Sequence, residues 1–166
     1  GDSLIVRAFE ELAKSSTFDP SKFRELVSLL ASSTGMPTGI CSGQGWESED
    51  RIDLSSYHRL KTSSLFVAAV QMGAVSAGAE SKPWLPLGVG IGEAFQIADD
   101  LRDHSESEDK IGKPVNQDLS NNRPNAVKRL GYQGAKDRIK KVLTDAIDSI
   151  PDCCGKEDLV KIVENQ

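Results

Sequence analysis

GIGEAFQIADDLRD, residues 90–103, begins as a core helix and ends as an acidic one. Phe95, Ile97, Ala98 and Leu101 are what a buried helix carries, yet Asp99, Asp100 and Asp103 crowd its final turns. At about 100° per residue, Gly92, Gln96, Asp99 and Asp103 fall at i, i+4, i+7 and i+11, a narrow stripe with Asp100 on its shoulder. The stripe is small at one end, amide in the middle and acidic at the other, the pattern of a cavity wall with an apolar floor and a cation-holding mouth. Carboxylates one helical turn apart repel each other unless positive charge lies between them. Oxygen ligands without neighbouring His or Cys suit a hard ion such as Mg²⁺. The competing reading is a solvated end of a core helix, although the helix dipole disfavours acids at a C-terminus. On the residues alone both readings stand.

The rest of the chain bounds the class. Its 166 residues, 38% hydrophobic and 27% charged, describe one soluble globular domain or part of one, with enough length to bury a core. Aromatics make up only 5%, and the apolar mass lies in Ala, Leu, Val and Ile, which favours packed helices over a β-sandwich. A net charge of −5 argues against nucleic acid as a partner, because phosphate binding needs a basic surface. No window is apolar enough for a transmembrane segment, and the first residues do not read as a signal peptide. Cys41, Cys153 and Cys154 fit neither a disulfide framework nor a zinc spacing, which points to a reducing, cytoplasmic setting.

Along the chain, helical periodicity dominates. Leu4, Ile5, Ala8, Phe9 and Leu12 predict a first helix with Asp2 or Ser3 as its N-cap. Asp19-Pro20 opens a second helix that stops at Gly35. In MPTGICSGQGWESE, Gly39 and Gly43 would give a helix a groove for close backbone packing, and a loop is the alternative. A long helix then runs to Gly78, KPWLP makes a turn, and the acid-tipped helix follows. HSESEDKIGKPVNQDLSNNRPN reads as a long polar loop, a length that often marks function. A short helix starts at Asn125, and Ile139, Val142, Leu143, Ala146 and Ile150 share one face of the next, with a last turn after Gly155. The expectation is a single all-α unit over residues 1–166, of about seven helices.

Lys61 and Thr62 stand at the head of an apolar helix, with Leu65, Ala68 and Met72 below Lys61 on one face. A cation above an apolar wall mirrors the aspartate stripe, although a snorkelling lysine gives the same pattern. Lys113, in the loop after the aspartates, is a third charged candidate; a solvated loop lysine reads the same way.

Together these segments resemble the trans-isoprenyl diphosphate synthase (polyprenyl synthetase) family. FQIADDLRD is similar to the family's second aspartate-rich motif, HRLKTSSLF to its His-x-x-Lys-Thr segment, and GICSGQGWE to the Gly-Gln element upstream. GDSLIVRAFEELA resembles the helix that opens with Gly-Asp, and IGKPVNQDLSNNRPNAV the Gly-Lys loop that closes over diphosphate. The resemblance implies the all-α isoprenoid (terpenoid) synthase bundle. It implies Mg²⁺ held by Asp99, Asp100 and Asp103, diphosphate neutralised by Lys61 and Lys113, and substrate contacts from Thr62, Gln96 and Gln44. Asp99, Asp100 and Lys61 would be the catalytic groups. The implied reaction condenses isopentenyl diphosphate with an allylic diphosphate by electrostatic stabilisation of the leaving group in a dry site.

The departures from the family pattern matter equally. There is no other DDxxD and none of the family's earlier paired-arginine and histidine segments, so the chain is similar to the C-terminal half of such an enzyme, inactive by itself. Asn116 replaces a glycine frequent in the family, and Arg123-Pro124-Asn125-Ala126-Val127 resembles the geranylgeranyl diphosphate synthases among its members. The alternatives are a non-catalytic short subunit that pairs with a full-length synthase and a terpene-cyclase relative. Half of a helical core would leave apolar faces exposed, so a homodimer or a self-associating fragment is expected. A transit peptide in the absent N-terminal part would place the enzyme in an organelle stroma.

Overall fold

The computed structural model of the protein describes residues 1–15, 19–46, 59–105 and 125–165. These residues form seven α-helices and no strand: α1 Asp2–Lys14, α2 Pro20–Thr34, α3 Ile40–Trp46, α4 Ser64–Ser76, α5 Leu85–Ser105, α6 Ala126–Asp148 and α7 Lys156–Glu164. A π-helical turn, Arg59–Ser63, leads into α4, and a 3₁₀ turn, Lys82–Trp84, leads into α5. The all-α class expected from the composition is the class observed.

Local chemistry explains most of the boundaries. Asp19 caps α2 by accepting from the Ser21 and Lys22 backbone N–H groups, and Pro20, which has no N–H to lose, occupies the first turn. Neither Asp2 nor Ser3 caps α1: Gly1 is its N-cap, without a side-chain bond. Asp2 is instead inside the first turn, where the helix dipole favours a negative charge. Beyond α4, Gly78 takes φ 85°, a left-handed conformation that closes the helix. KPWLP is less of a turn than its prolines suggest, because the 3₁₀ turn passes into α5 with Pro86 in the first helical turn. The two tail segments are both present within Ala126–Asp148: as expected, a short helix and a longer one, which meet at Gly131, whose φ 72° and ψ 166° are not helical. After Gly155 there is a nine-residue helix rather than a single turn.

The long helix α5 is the spine. It packs most extensively on α6 and then on α4, while α4 packs on α2. Its first half joins Leu87 to Ala146, Ile150 and Val163 in one core cluster; its second half joins Ile97 and Leu101 to Val127 and Ala135 in another. The expected inner face of α6 is present: Val142, Ala146 and Ile150 are buried, and Ile139 and Leu143 pack against the clusters. Arg138 on α6 closes the outer seam, donating from Nε and Nη2 to Glu93 Oε1 at 2.8 and 2.6 Å. Among the described residues, no helix is long and apolar enough to cross a membrane.

Candidate active site

The aspartate stripe faces the turn that carries Lys61 and Thr62. Two contacts establish this. A Cβ added to Gly92 would meet the Cα of Ser63 at 2.6 Å, so α5 and the π-helical turn touch backbone to backbone. One turn further along, Thr62 Oγ1 donates a 2.8 Å hydrogen bond to Gln96 Oε1. Lys61 is therefore on the turn facing the stripe and is itself half-buried. π-Helical turns insert one residue into the ordinary helical repeat and frequently occur at functional sites.

The Gly-Gln element belongs to the same end of the molecule. A Cβ on Gly43 would fall 2.6 Å from the backbone nitrogen of Lys61, so α3 packs directly on the turn. Helix and groove, rather than loop, is thus the right reading of residues 40–46. Gln44, the next residue, is exposed. Lys113 lies outside the described residues.

The three aspartates divide into two kinds. Asp99 and Asp103 are half-buried on the stripe. Asp100, about 100° further round the helix than Asp99, turns into the protein and is only 2% exposed. Its Oδ1 accepts from Gln96 Nε2 at 3.1 Å, and its Oδ2 accepts from the backbone N–H of Ala126 at 2.7 Å. Among the described residues, no three carboxylate, imidazole or thiolate groups converge as a complete metal-ligand cluster. The pair Asp99 and Asp103 still suits Mg²⁺, which takes one or two carboxylates and completes its shell with water and phosphate oxygens. Cys41, Cys153 and Cys154 are exposed thiols outside any disulfide.

Periodicity did not single out Phe66. Its ring lies 5.2 Å from that of Phe95, tilted by 46°, and Phe95, expected in the core, is 52% exposed. The Asp100–Ala126 bond also had no signal in the spacing, since its partners are 26 positions apart. Asn125 was legible as a helix start; its side chain accepts from the Val127 and Lys128 N–H groups beside that bond.

An all-helical bundle thus sets one acid-tipped helix against a Lys-Thr turn. The match to the family model described as polyprenyl synthetase extends over residues 1–164, and the chain belongs to that family. It is 55% identical over 163 residues to a geranylgeranyl diphosphate synthase of Cereibacter sphaeroides, covering 98% of this chain and 57% of that protein. It is 50% identical to the geranylgeranyl diphosphate synthase of Rhodobacter capsulatus, covering 99% and 57%. The chain thus spans just over half the length of these relatives. Among solved structures, a geranyltransferase from Helicobacter pylori complexed with magnesium and isoprenyl diphosphate superposes with a TM-score of 0.78 at 24% identity, covering 99% of this chain and 57% of that one. That likeness is one of fold. A putative farnesyl-diphosphate synthase from Marinomonas sp. MED121 superposes with a TM-score of 0.72 at 28% identity, covering 99% and 59%.

Proposed function

We propose that this chain carries the diphosphate-binding wall of a Mg²⁺-dependent trans-prenyltransferase that condenses isopentenyl diphosphate with an allylic diphosphate, of the kind the geranylgeranyl diphosphate synthases named above represent. The observation that supports it best is the pairing across one gap: Thr62 bonded to Gln96, with Lys61 on one wall and Asp99 and Asp103 on the other. Mg²⁺, when held by Asp99 and Asp103, adds positive charge to a leaving diphosphate. Lys61 contributes a fixed positive charge toward the same anion, and Lys113 would add a second. Thr62 and Gln96 orient the substrate by hydrogen bonds. The allylic C–O bond breaks with its electrons leaving on diphosphate, the isopentenyl double bond supplies the pair for the new C–C bond, and the departing diphosphate accepts the proton then lost. The sequence holds a single DDxxD motif, so this wall is one of two that the reaction needs, and the chain alone is not expected to turn over. The exposed thiols fit a reducing compartment such as the cytoplasm.

Calorimetric titration with geranyl diphosphate, with and without Mg²⁺, tests the reading on the wild type and on Asp99→Ala. Binding should require Mg²⁺ and weaken by about tenfold or more in the variant, the scale of a lost charge-assisted contact. Affinity indifferent to both the metal and the substitution would sink it.

A further inference from the structure

Asp100 belongs to the DDxxD run, but its surroundings are those of an interior anchor. Both of its oxygens accept from protein donors, Gln96 Nε2 on one side and the Ala126 N–H on the other. A carboxylate only accepts, so it dictates which end of the Gln96 amide faces it. Gln96 must present its nitrogen to Asp100 and its oxygen to Thr62, whose hydroxyl proton is thereby directed into the 2.8 Å bond. The N-terminus of α6 also favours a negative charge at this place, and Asn125 satisfies the next N–H groups of that turn. One hydrogen-bonded chain thus runs from the π-helical turn through Gln96 and Asp100 of α5 to the first residue of α6.

We propose that Asp100 is a positioning residue: it fixes the amide of Gln96, and through it the hydroxyl of Thr62, while Asp99 and Asp103 serve the metal. The role of Gln96 and Thr62 toward substrate rests on the function proposed above; the orientation of their side chains does not.

The two ideas separate experimentally. Asp100→Asn keeps an acceptor for Ala126 but turns an NH₂ toward Gln96, so the Gln96 amide must flip. In ¹⁵N spectra the Gln96 side-chain NH₂ should move and show contacts to Thr62 in place of those to residue 100. Titration of Mg²⁺ with inorganic pyrophosphate should show metal affinity within about threefold of wild type for Asp100→Asn, against a loss of about tenfold or more for Asp99→Ala. The paired change Gln96→Glu with Asp100→Asn exchanges donor and acceptor along the same chain, and should recover the wild-type melting temperature. If Asp100→Asn does not fold, that recovery alone supports the proposal, and failure of the pair to fold overturns it. Unmoved Gln96 resonances, or a metal-affinity loss in Asp100→Asn equal to that in Asp99→Ala, also overturn it. Absence of any Mg²⁺-dependent pyrophosphate binding by the wild type would instead refute the proposed function, and the Gln96 resonances would then decide the role of Asp100.

Discussion

A methyl group on Gly92 would meet the Cα, Oγ and Cβ of Ser63 at 2.6 to 2.7 Å, and a Cα cannot swing aside as the tip of a side chain can. Gly92→Ala must therefore push α5 off the π-helical turn. Overpacking of this sort costs about 1–3 kcal/mol, and urea unfolding should show a lower midpoint at an unchanged slope. An unchanged midpoint would mean that α5 and the turn stand further apart than a 2.6 Å approach to the Ser63 Cα allows. The same substitution lengthens the Thr62–Gln96 hydrogen bond one turn away, so stability and substrate orientation share this contact. At this scale the sequence was informative about residue types and weaker about direction. Asp99, Gln96 and Gly92 were legible as a stripe because a helix repeats every 3.6 residues. That Asp100 faces inward was hidden, since its partner Ala126 comes from a different helix.

Among the elements, α2 is the clearest case of sequence-encoded structure, because cap and proline both lie at its start. The hydrogen bonds from the Ser21 hydroxyl and the Lys22 N–H, followed by the Ser21 N–H and the nearby Lys22 charge, hold the Asp19 carboxyl below its usual range despite its exposure. A group whose folded value is lowered stabilises the fold above its unfolded value and ceases to do so as pH falls through the folded one. Asp19→Asn keeps the acceptor without the charge. Its melting temperature should lie below that of wild type near neutral pH, and the gap should close as pH drops through the acidic range; a gap independent of pH would contradict the cap's charge dependence. The π-helical turn is the opposite case. Nothing in Arg-Leu-Lys-Thr-Ser distinguishes it from α-helix, because the choice between the two repeats depends on what packs alongside, here Gly43 of α3 and Gly92 of α5. The break at Gly131 was legible: two tail segments were expected, and the backbone leaves the helical region between them.

For the molecule as a whole, α1 has no buried side chain. Arg7 and Lys14 pair with Glu10 and Glu11 on its solvated side, contacts worth little on an exposed surface. Its apolar side only half covers Ile5, Ala8, Phe9 and Leu12 against the bundle, and leaves Leu4 at 75% and Val6 at 68% exposure. Apolar surface of this kind drives association. Size-exclusion chromatography with light scattering should find species heavier than a monomer that dissociate on dilution, and Leu4→Ser with Val6→Ser should shift them toward the monomer. A monomer at every concentration would refute this expectation. The spine also leaves apolar side chains in solvent, Leu85 at 46% and Phe95 at 52% exposure, but its packed faces are set differently. Gly88 and Gly92 bring α5 onto α4 and its lead-in turn, where main chain limits the approach, and Gly90 brings it onto α6, where the Ala146 methyl does. The gap between the lysine and aspartate walls then behaves like a caliper whose stop is peptide backbone. Side chains within the jaws can be exchanged to suit ligands of different size, while the setting between the jaws stays where the glycines put it.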